Sequence, residues 1–397
     1  MKTPTQLLSL LLLITLWMPL QAQDQEKGFK FTTITDIKTT PVKDQFKSGT
    51  CWSFATTSFV ETELIRMNKG EFILSPIYFV RYAYESKADK YVRRNGTANF
   101  GEGGQAHDVF NVIREHGFVP EDVYTGFAAE NNHIHGELDA ELKAYIDVVK
   151  AKKNGSISEV WKNTFNAMLD IYLGKLPTTF SVNNNKKVDP ISFTKSTGFN
   201  PDDYVEITSY SHVPFYRQVM IDIPDNWSQD RYYNLPIDEM MEVIKSALKN
   251  GYSVCWDGDV SDKGFSHSNG LAIAPEKDIN SMEGTERARW EKLSEKERMS
   301  QLFSFTSPVP EKKVTQEMRQ KAFDTQQTTD DHLMHFTGMV SDQNGTIYFK
   351  TKNSWNSNSN KLGGYLNMSE AYTRINTIAI MVHKNAIPKE IAKKLGL

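Results

Sequence analysis

The sequence predicts an α+β fold, with helices in the front half, an antiparallel sheet at the back and a cleft where the two meet. Three observations carry this. Apolar residues recur at near-helical spacing over 51–69, and again through Tyr78, Val80 and Tyr84 and through Val109, Val112 and Ile113. Residues 332–340, 345–350 and 364–367 read as strands, and Asn344-Gly345 between the first two is a hairpin signal. Between the halves lie polar, charged helical stretches with no chemical signature of their own.

Taken in order, residues 1–22 read as a targeting segment. Lys2 precedes an apolar core over 7–18, and Pro19-Leu20-Gln21-Ala22 offers a cleavage point. The core is too short for a bilayer span, so export to the periplasm or beyond is expected, with an uncleaved anchor as the alternative. No cysteine near the cut suggests a lipoprotein. Residues 23–125 form a helical lobe. Its first helix opens at Cys51 and stops at Asn68-Lys69-Gly70, Ser75-Pro76 caps a second, and the turn Gly101-Glu102-Gly103-Gly104 leads into a third ending at His116-Gly117. Residues 126–230 read as a mainly helical insertion. It has helices near 137–151 and 157–173, the loop-like Asn183-Asn184-Asn185-Lys186-Lys187, and β-type residues over 204–223. The β half begins over 231–275, where a helix at 238–248 passes Asn250-Gly251 into the strand Tyr252-Ser253-Val254-Cys255-Trp256. A second helical insertion fills 276–327, restarting at Thr315 after Pro308 and Pro310. Residues 328–397 complete the β half and end in a short helix with a brief tail.

The 397 residues are 39% hydrophobic and 24% charged, the composition of a soluble globule, and a net charge of −3 with interspersed signs gives no electrostatic footprint for nucleic acid or anionic membrane. Two cysteines cannot make a disulfide scaffold. Cys255 reads as a small core residue, since pairing with Cys51 would remove a nucleophile. His133 and His135 alternate in a polar loop without cysteines nearby, so a solvated loop is expected and no metal or cofactor. Lys150, Lys152 and Lys153 read as a solvated face. Asn95, Asn154, Asn226, Asn344 and Asn367 head glycosylation sequons.

The chemistry is concentrated in Gln45-Phe46-Lys47-Ser48-Gly49-Thr50-Cys51-Trp52-Ser53-Phe54. A thiol nucleophile needs a helix N-terminus to favour its thiolate and a donor for the oxyanion formed when it attacks a carbonyl. Cys51 and Gln45 supply these residue types at the right place. His332 heads a strand, and Asn353-Ser354-Trp355 follows across the hairpin, so a base and the group that orients it can be neighbours. His335 is the competing histidine. Three residues along the same strand, it faces the opposite side from His332.

Gln45, Cys51-Trp52-Ser53-Phe54, His332 and Asn353-Ser354-Trp355 together resemble the papain superfamily of cysteine peptidases. The superfamily norm places the histidine ~130–150 residues after the cysteine. Here it comes far later, and that excess with the two insertions resembles the bleomycin hydrolase and aminopeptidase C branch. Gly103-Gly104-Gln105, Val254-Cys255-Trp256 and Asp257-Gly258-Asp259-Val260 fit the same branch. The resemblance implies a papain-like two-lobed fold, one lobe helical and one an antiparallel, barrel-like β lobe, carrying large helical insertions. It implies Cys51 as nucleophile and His332 as its partner in a thiolate–imidazolium pair, with a thiol pKa of ~3–4. Asn353 would fix the imidazole and Trp355 shield that bond, while Gln45 and the Cys51 N–H form the oxyanion hole. Gly103, Gly104, Trp52 and Trp355 are the implied substrate-binding residues. Peptides are the implied substrates, and the branch's hexamers imply a homo-oligomer.

Branch members are mostly cytoplasmic, whereas export is expected here. In the branch, a C-terminal arm enters the cleft and its carboxylate receives the substrate ammonium; here Ile387 to Leu397 read as stopping short of it. Glu102, beside the glycine pair, is then the expected amine anchor. The leading expectation is a cysteine aminopeptidase working through an acyl-enzyme. The alternatives are an endopeptidase or broader exopeptidase with an open cleft, and a catalytically silent peptide-binding module, in which an intact Gln45, Cys51, His332 and Asn353 would have no purpose.

Overall fold

The computed structural model describes residues 28–127, 132–151, 156–182, 186–276 and 284–397. The targeting segment, Asn154 and the Asn183-Asn184-Asn185 loop lie outside them.

Strand β1 (Thr32–Asp36) precedes helices α1 (Cys51–Arg66), α2 (Pro76–Arg93) and α3 (Ala106–His116). Then come α4 (Gly136–Lys150), α5 (Val160–Leu173), the small hairpin β2 (Phe180–Val182) and β3 (Lys186–Val188), and α6 (Pro190–Thr197). Strands β4 (Tyr204–Thr208), β5 (Gln218–Val219) and β6 (Tyr232–Asn234) lead to α7 (Ile237–Lys249), β7 (Val254–Gly258), β8 (Phe265–Ser266) and β9 (Leu271–Ala272). Helices α8 (Gly284–Glu291), α9 (Glu295–Leu302) and α10 (Gln316–Asp324) precede β10 (His332–Ser341), β11 (Ile347–Lys352) and β12 (Tyr365–Ser369). The chain closes with α11 (Glu370–Asn376), β13 (Thr377–His383) and α12 (Lys389–Leu395). Two helix starts follow sequence chemistry directly: Ser75 accepts the Tyr78 N–H ahead of Pro76, and Thr315 accepts the Met318 N–H.

Eleven strands form one sheet in the order β5-β6-β4-β13-β7-β10-β11-β12-β9-β8, with β1 also paired to β10. Pairing is antiparallel except at β4–β6 and β9–β12. The range expected as a mainly helical insertion with β-type residues over 204–223 serves two parts of the fold. Helices α4 and α5 pack on α2, while β4 enters the main sheet beside β13.

The period-two alternation of β7, β10 and β13 decides which elements share a face. Cys255, Leu333 and Met381 pack with the side chains of α1, including Phe59 and Leu64. Val254, Trp256, Met334, Phe336, Ile380 and Val382 pack instead with α7 and with Ile391 and Leu395 of α12. Helix α1 is thus trapped between the sheet and the other helices, and it is buried on all sides along most of its length. Its buried acids are paired, Glu61 with Lys43 and the Leu74 N–H, and Glu63 with Arg66 and Tyr204. The C-terminal helix lies on the other face of the sheet, fixed by a Lys394–Glu239 contact at 2.7 Å. No helix among the described residues is long and apolar enough to cross a membrane.

Candidate active site

Cys51 is the first residue of α1, and no side chain caps that helix end. Thr50 and Ser48, which could cap it, bond to each other instead, hydroxyl to hydroxyl at 2.6 Å. Capping side chains normally satisfy the first N–H groups of a helix; left uncapped, these groups and the helix dipole point at whatever binds beside Cys51. The Leu333 N–H lies near enough to the Cys51 sulfur to favour its thiolate, so the thiol sits against the start of β10, next to His332.

His332 Nε2–H donates to Asn353 Oδ1 at 2.8 Å. An amide oxygen only accepts, so the proton must sit on Nε2, and Nδ1 carries the lone pair that can take a proton from a thiol. The Asn353 amide is itself oriented. Its Nδ2–H donates to His267 Nδ1 at 3.3 Å, and His267 Nε2 meets Ser359 Oγ at 2.7 Å. The Trp355 ring covers His332 at 4.8 Å between centroids. The hairpin β10–β11 delivers these groups, since Asn353 directly follows β11.

Gln45 is buried and held from two directions. Its Oε1 accepts the Ser354 hydroxyl at 2.5 Å, and its Nε2 donates one hydrogen to the Ser48 carbonyl at 2.8 Å. The second Nε2 hydrogen is left for a ligand. Phe46, with φ +49°, takes the left-handed conformation that non-glycine residues seldom adopt, turning the chain between Gln45 and Cys51. Each residue of Asn353-Ser354-Trp355 therefore has its own contact: Asn353 aligns His332, Ser354 holds Gln45, and Trp355 roofs the imidazole.

The structure changes the reading of the expected substrate residues. Trp52 is only 1% exposed, and its Nε1–H donates to the Glu102 carbonyl at 2.8 Å, which makes it a support for the loop rather than a contact surface. A Cβ at Gly103 would lie 2.1 Å from Asp225 Oδ2, and one at Gly104 would lie 2.8 Å from Asp108 Oδ2 and 3.0 Å from the Trp52 ring. Both glycines are thus required by their protein neighbours. Glu102 gives one carboxylate oxygen to the Gly49 N–H, tying the glycine loop to the oxyanion loop. The buried Lys87 ammonium holds the Gly101 and Gly103 carbonyls.

Burial pushes the Cys51 thiol up to about 12; the Leu333 N–H opposes this, and the carboxylates of Asp225, Asp257 and Asp330 add to it. Burial also pushes His332 down to about 4, against its bond to Asn353. Each group therefore favours its neutral form, where the sequence suggested an ion pair with a strongly acidic thiol. The nearby carboxylates supply part of the difference.

His335 lies on the α1 side of β10, its Nδ1 at 3.0 Å from Ser58 Oγ and its ring against Phe59. Ser58 is two turns along α1 from Cys51, so His335 belongs to the core. Cys255 is free, 1% exposed and 3.5 Å from Thr56 Oγ1. His133 and His135, expected in a solvated loop, are buried because the segment pairs with Lys47, with His133 against Phe54 and Phe127 and His135 edge-on to His133. Burial lowers both, to about 3 and about 4. Among the described residues no cluster of three His, Cys, Asp or Glu could hold a metal. Two of the sequon asparagines, Asn226 and Asn367, are buried.

The profile of the Peptidase C1-like family matches residues 18–300 and 300–396. The chain is 22% identical over 425 residues to cysteine proteinase 1, mitochondrial, of Saccharomyces cerevisiae, covering 94% of this chain and 80% of that protein. To aminopeptidase C of Streptococcus thermophilus it is 24% identical over 426 residues, covering 94% and 86%. The crystal structure of PepW from Lactobacillus rhamnosis superposes with a TM-score of 0.70 at 19% identity, over 92% of this chain and 84% of that one. At that identity the likeness establishes the shared fold.

Proposed function

The chain belongs to the Peptidase C1-like family and is a cysteine peptidase, and from that premise we propose that it removes N-terminal residues from peptides through an acyl-enzyme on Cys51. His332 Nδ1 takes the thiol proton as sulfur attacks the scissile carbonyl. The tetrahedral oxyanion is received by the free Gln45 Nε2–H and the Cys51 N–H. The His332 imidazolium returns the proton to the leaving amine, and the C–N bond breaks. Water, deprotonated by the same nitrogen, then releases the acyl group and restores the thiol. Asn353 is a positioning residue that holds the imidazole in the tautomer these transfers need.

The observation that carries this reading is the His332 Nε2–Asn353 Oδ1 bond beside a thiol on an uncapped helix N-terminus. Aminopeptidase C among the relatives supports the exopeptidase assignment. The second reading is cleavage within peptides. Turnover of a free-amine aminoacyl amide beside its N-acetylated counterpart decides between them. Strong preference for the free amine is expected, and equal or better turnover of the blocked substrate would remove the aminopeptidase reading. Export, from the segment at 1–22, and a homo-oligomer, from the branch resemblance, complete the proposal. Cell fractionation and a solution mass measurement test them.

A further inference from the structure

We propose that Asp257 and Asp330, with Asp225 at their rim, form the subsite that receives the substrate's α-ammonium. The inference deepens the aminopeptidase reading and rests on it. These carboxylates meet where the two halves of the molecule join. Asp257 is on β7, opposite Leu333, whose N–H touches the Cys51 sulfur. It shares the α1 side of the sheet with Cys255, two residues nearer the middle of α1, so Asp257 stands at the level of Cys51. Asp330 lies two residues before His332, and Gln105 reaches it from the helical half, Nε2 lying 3.1 Å from each carboxylate oxygen. Asp225 packs on Gly103 and is held by Asn99 Nδ2 at 3.0 Å.

What points to a ligand is the set of acceptors with no donor. Asp257 is 3% exposed, and no donor other than the facing Asp330 carboxyl reaches its oxygens. Its neighbour is the Asp330 carboxyl, close enough to share a proton. Gln105, fully buried, gives its amide hydrogens to Asp330 and leaves Oε1 without a partner. Buried acceptors without donors are costly and uncommon. An ammonium has three hydrogens and a positive charge, which matches this set. An N-acetyl amide offers one hydrogen and no charge. The Lys87 ammonium faces Asp225 but is occupied by the Gly101 and Gly103 carbonyls. Glu102, the anchor suggested by sequence, has one oxygen on the Gly49 N–H.

The test uses the full chain and the variants Asp257→Asn and Asp330→Asn, the latter keeping an oxygen for Gln105. Three readouts are KM and kcat on an aminoacyl amide, the same constants on its N-acetylated form, and the rate at which a neutral epoxide labels Cys51. Each variant should raise KM for the free amine roughly 10- to 100-fold. Labelling of Cys51 should persist, and turnover of the blocked substrate should change far less than that of the free amine, so the preference collapses. An undiminished preference with intact labelling would overturn the subsite and leave the aminopeptidase reading standing. A wild type with no preference removes that reading itself, and is scored first. If Asp257→Asn does not fold, Asp330→Asn, on the partly buried segment before β10, decides alone.

Discussion

Replacing Gln45 by alanine separates what this side chain does for chemistry from what it does for structure. Its Nε2 donates one hydrogen to the Ser48 carbonyl at 2.8 Å and has one left for the oxyanion. Loss of a single oxyanion-hole donor lowers kcat by about 10²–10³, equivalent to about 2.7–4 kcal/mol of barrier. The same substitution leaves the Ser48 carbonyl and the Ser354 hydroxyl, 2.5 Å from Gln45 Oε1, without partners in a buried place. That costs stability on the order of 1–3 kcal/mol per group. The Gln45→Glu variant keeps an acceptor for Ser354 but sets a carboxylate oxygen against both the Ser48 carbonyl and the oxyanion, so kcat should fall at least as far and stability falls as well. The assay is steady-state hydrolysis of an aminoacyl amide normalised to titrated active sites, beside a thermal melt. A kcat for Gln45→Ala within about tenfold of wild type, well short of the range for such a donor, would refute the assignment.

Asn353→Ala frees the His332 ring and should lower kcat roughly 10²-fold, the scale for small misplacement of a catalytic group, with KM little changed; an unaltered kcat would mean that the ring is held by Trp355 alone. His335→Leu should lower the melting temperature and leave kcat/KM at the wild-type level, because His335 contacts Ser58 and Phe59 rather than Cys51. Loss of turnover comparable to that of His332→Ala would reassign the base. For His107, burial lowers the pKa, but the Glu206 and Asp108 carboxylates and the bond to Glu206 more than reverse this and raise it from 6.5 to about 9. A group raised on folding stabilises fully below its unfolded value, and that contribution fades as pH rises through the folded one. The urea midpoint should therefore fall between pH 6.5 and 9, and Glu206→Gln should flatten that fall. An equal slope in the variant would place its origin elsewhere.

The parts of the site legible in the sequence are those set by local rules. A helix that opens at Cys51, a strand headed by His332 and a hairpin ending at Asn353 can each be read from periodicity and turn residues, and the structure brings these groups together with Gln45. What was not legible depends on pairing across the chain. Ser354 holds Gln45 from more than 300 positions away, and His267 orients Asn353 from the turn after a two-residue strand with no pattern of its own. Asp257 stood out only as part of a branch motif and Asp330 not at all, because only the register of β7 against β10 places them beside Cys51. The same limit applies to β4, whose β-type residues were legible but whose place in the main sheet beside β13 was not. His133 and His135 are a further case, since a bridge from Ile134 to Lys47 presses their loop into the core.

The central claim, a thiol peptidase working through Cys51, is tested most directly by mapping where an epoxide-type cysteine-protease inhibitor attaches. Cys51 is 8% exposed and Cys255 1%, so peptide mass spectrometry should find one adduct, on Cys51. The adduct and peptide hydrolysis should both disappear in Cys51→Ala. An adduct on Cys255, or undiminished hydrolysis by Cys51→Ala, would contradict the account.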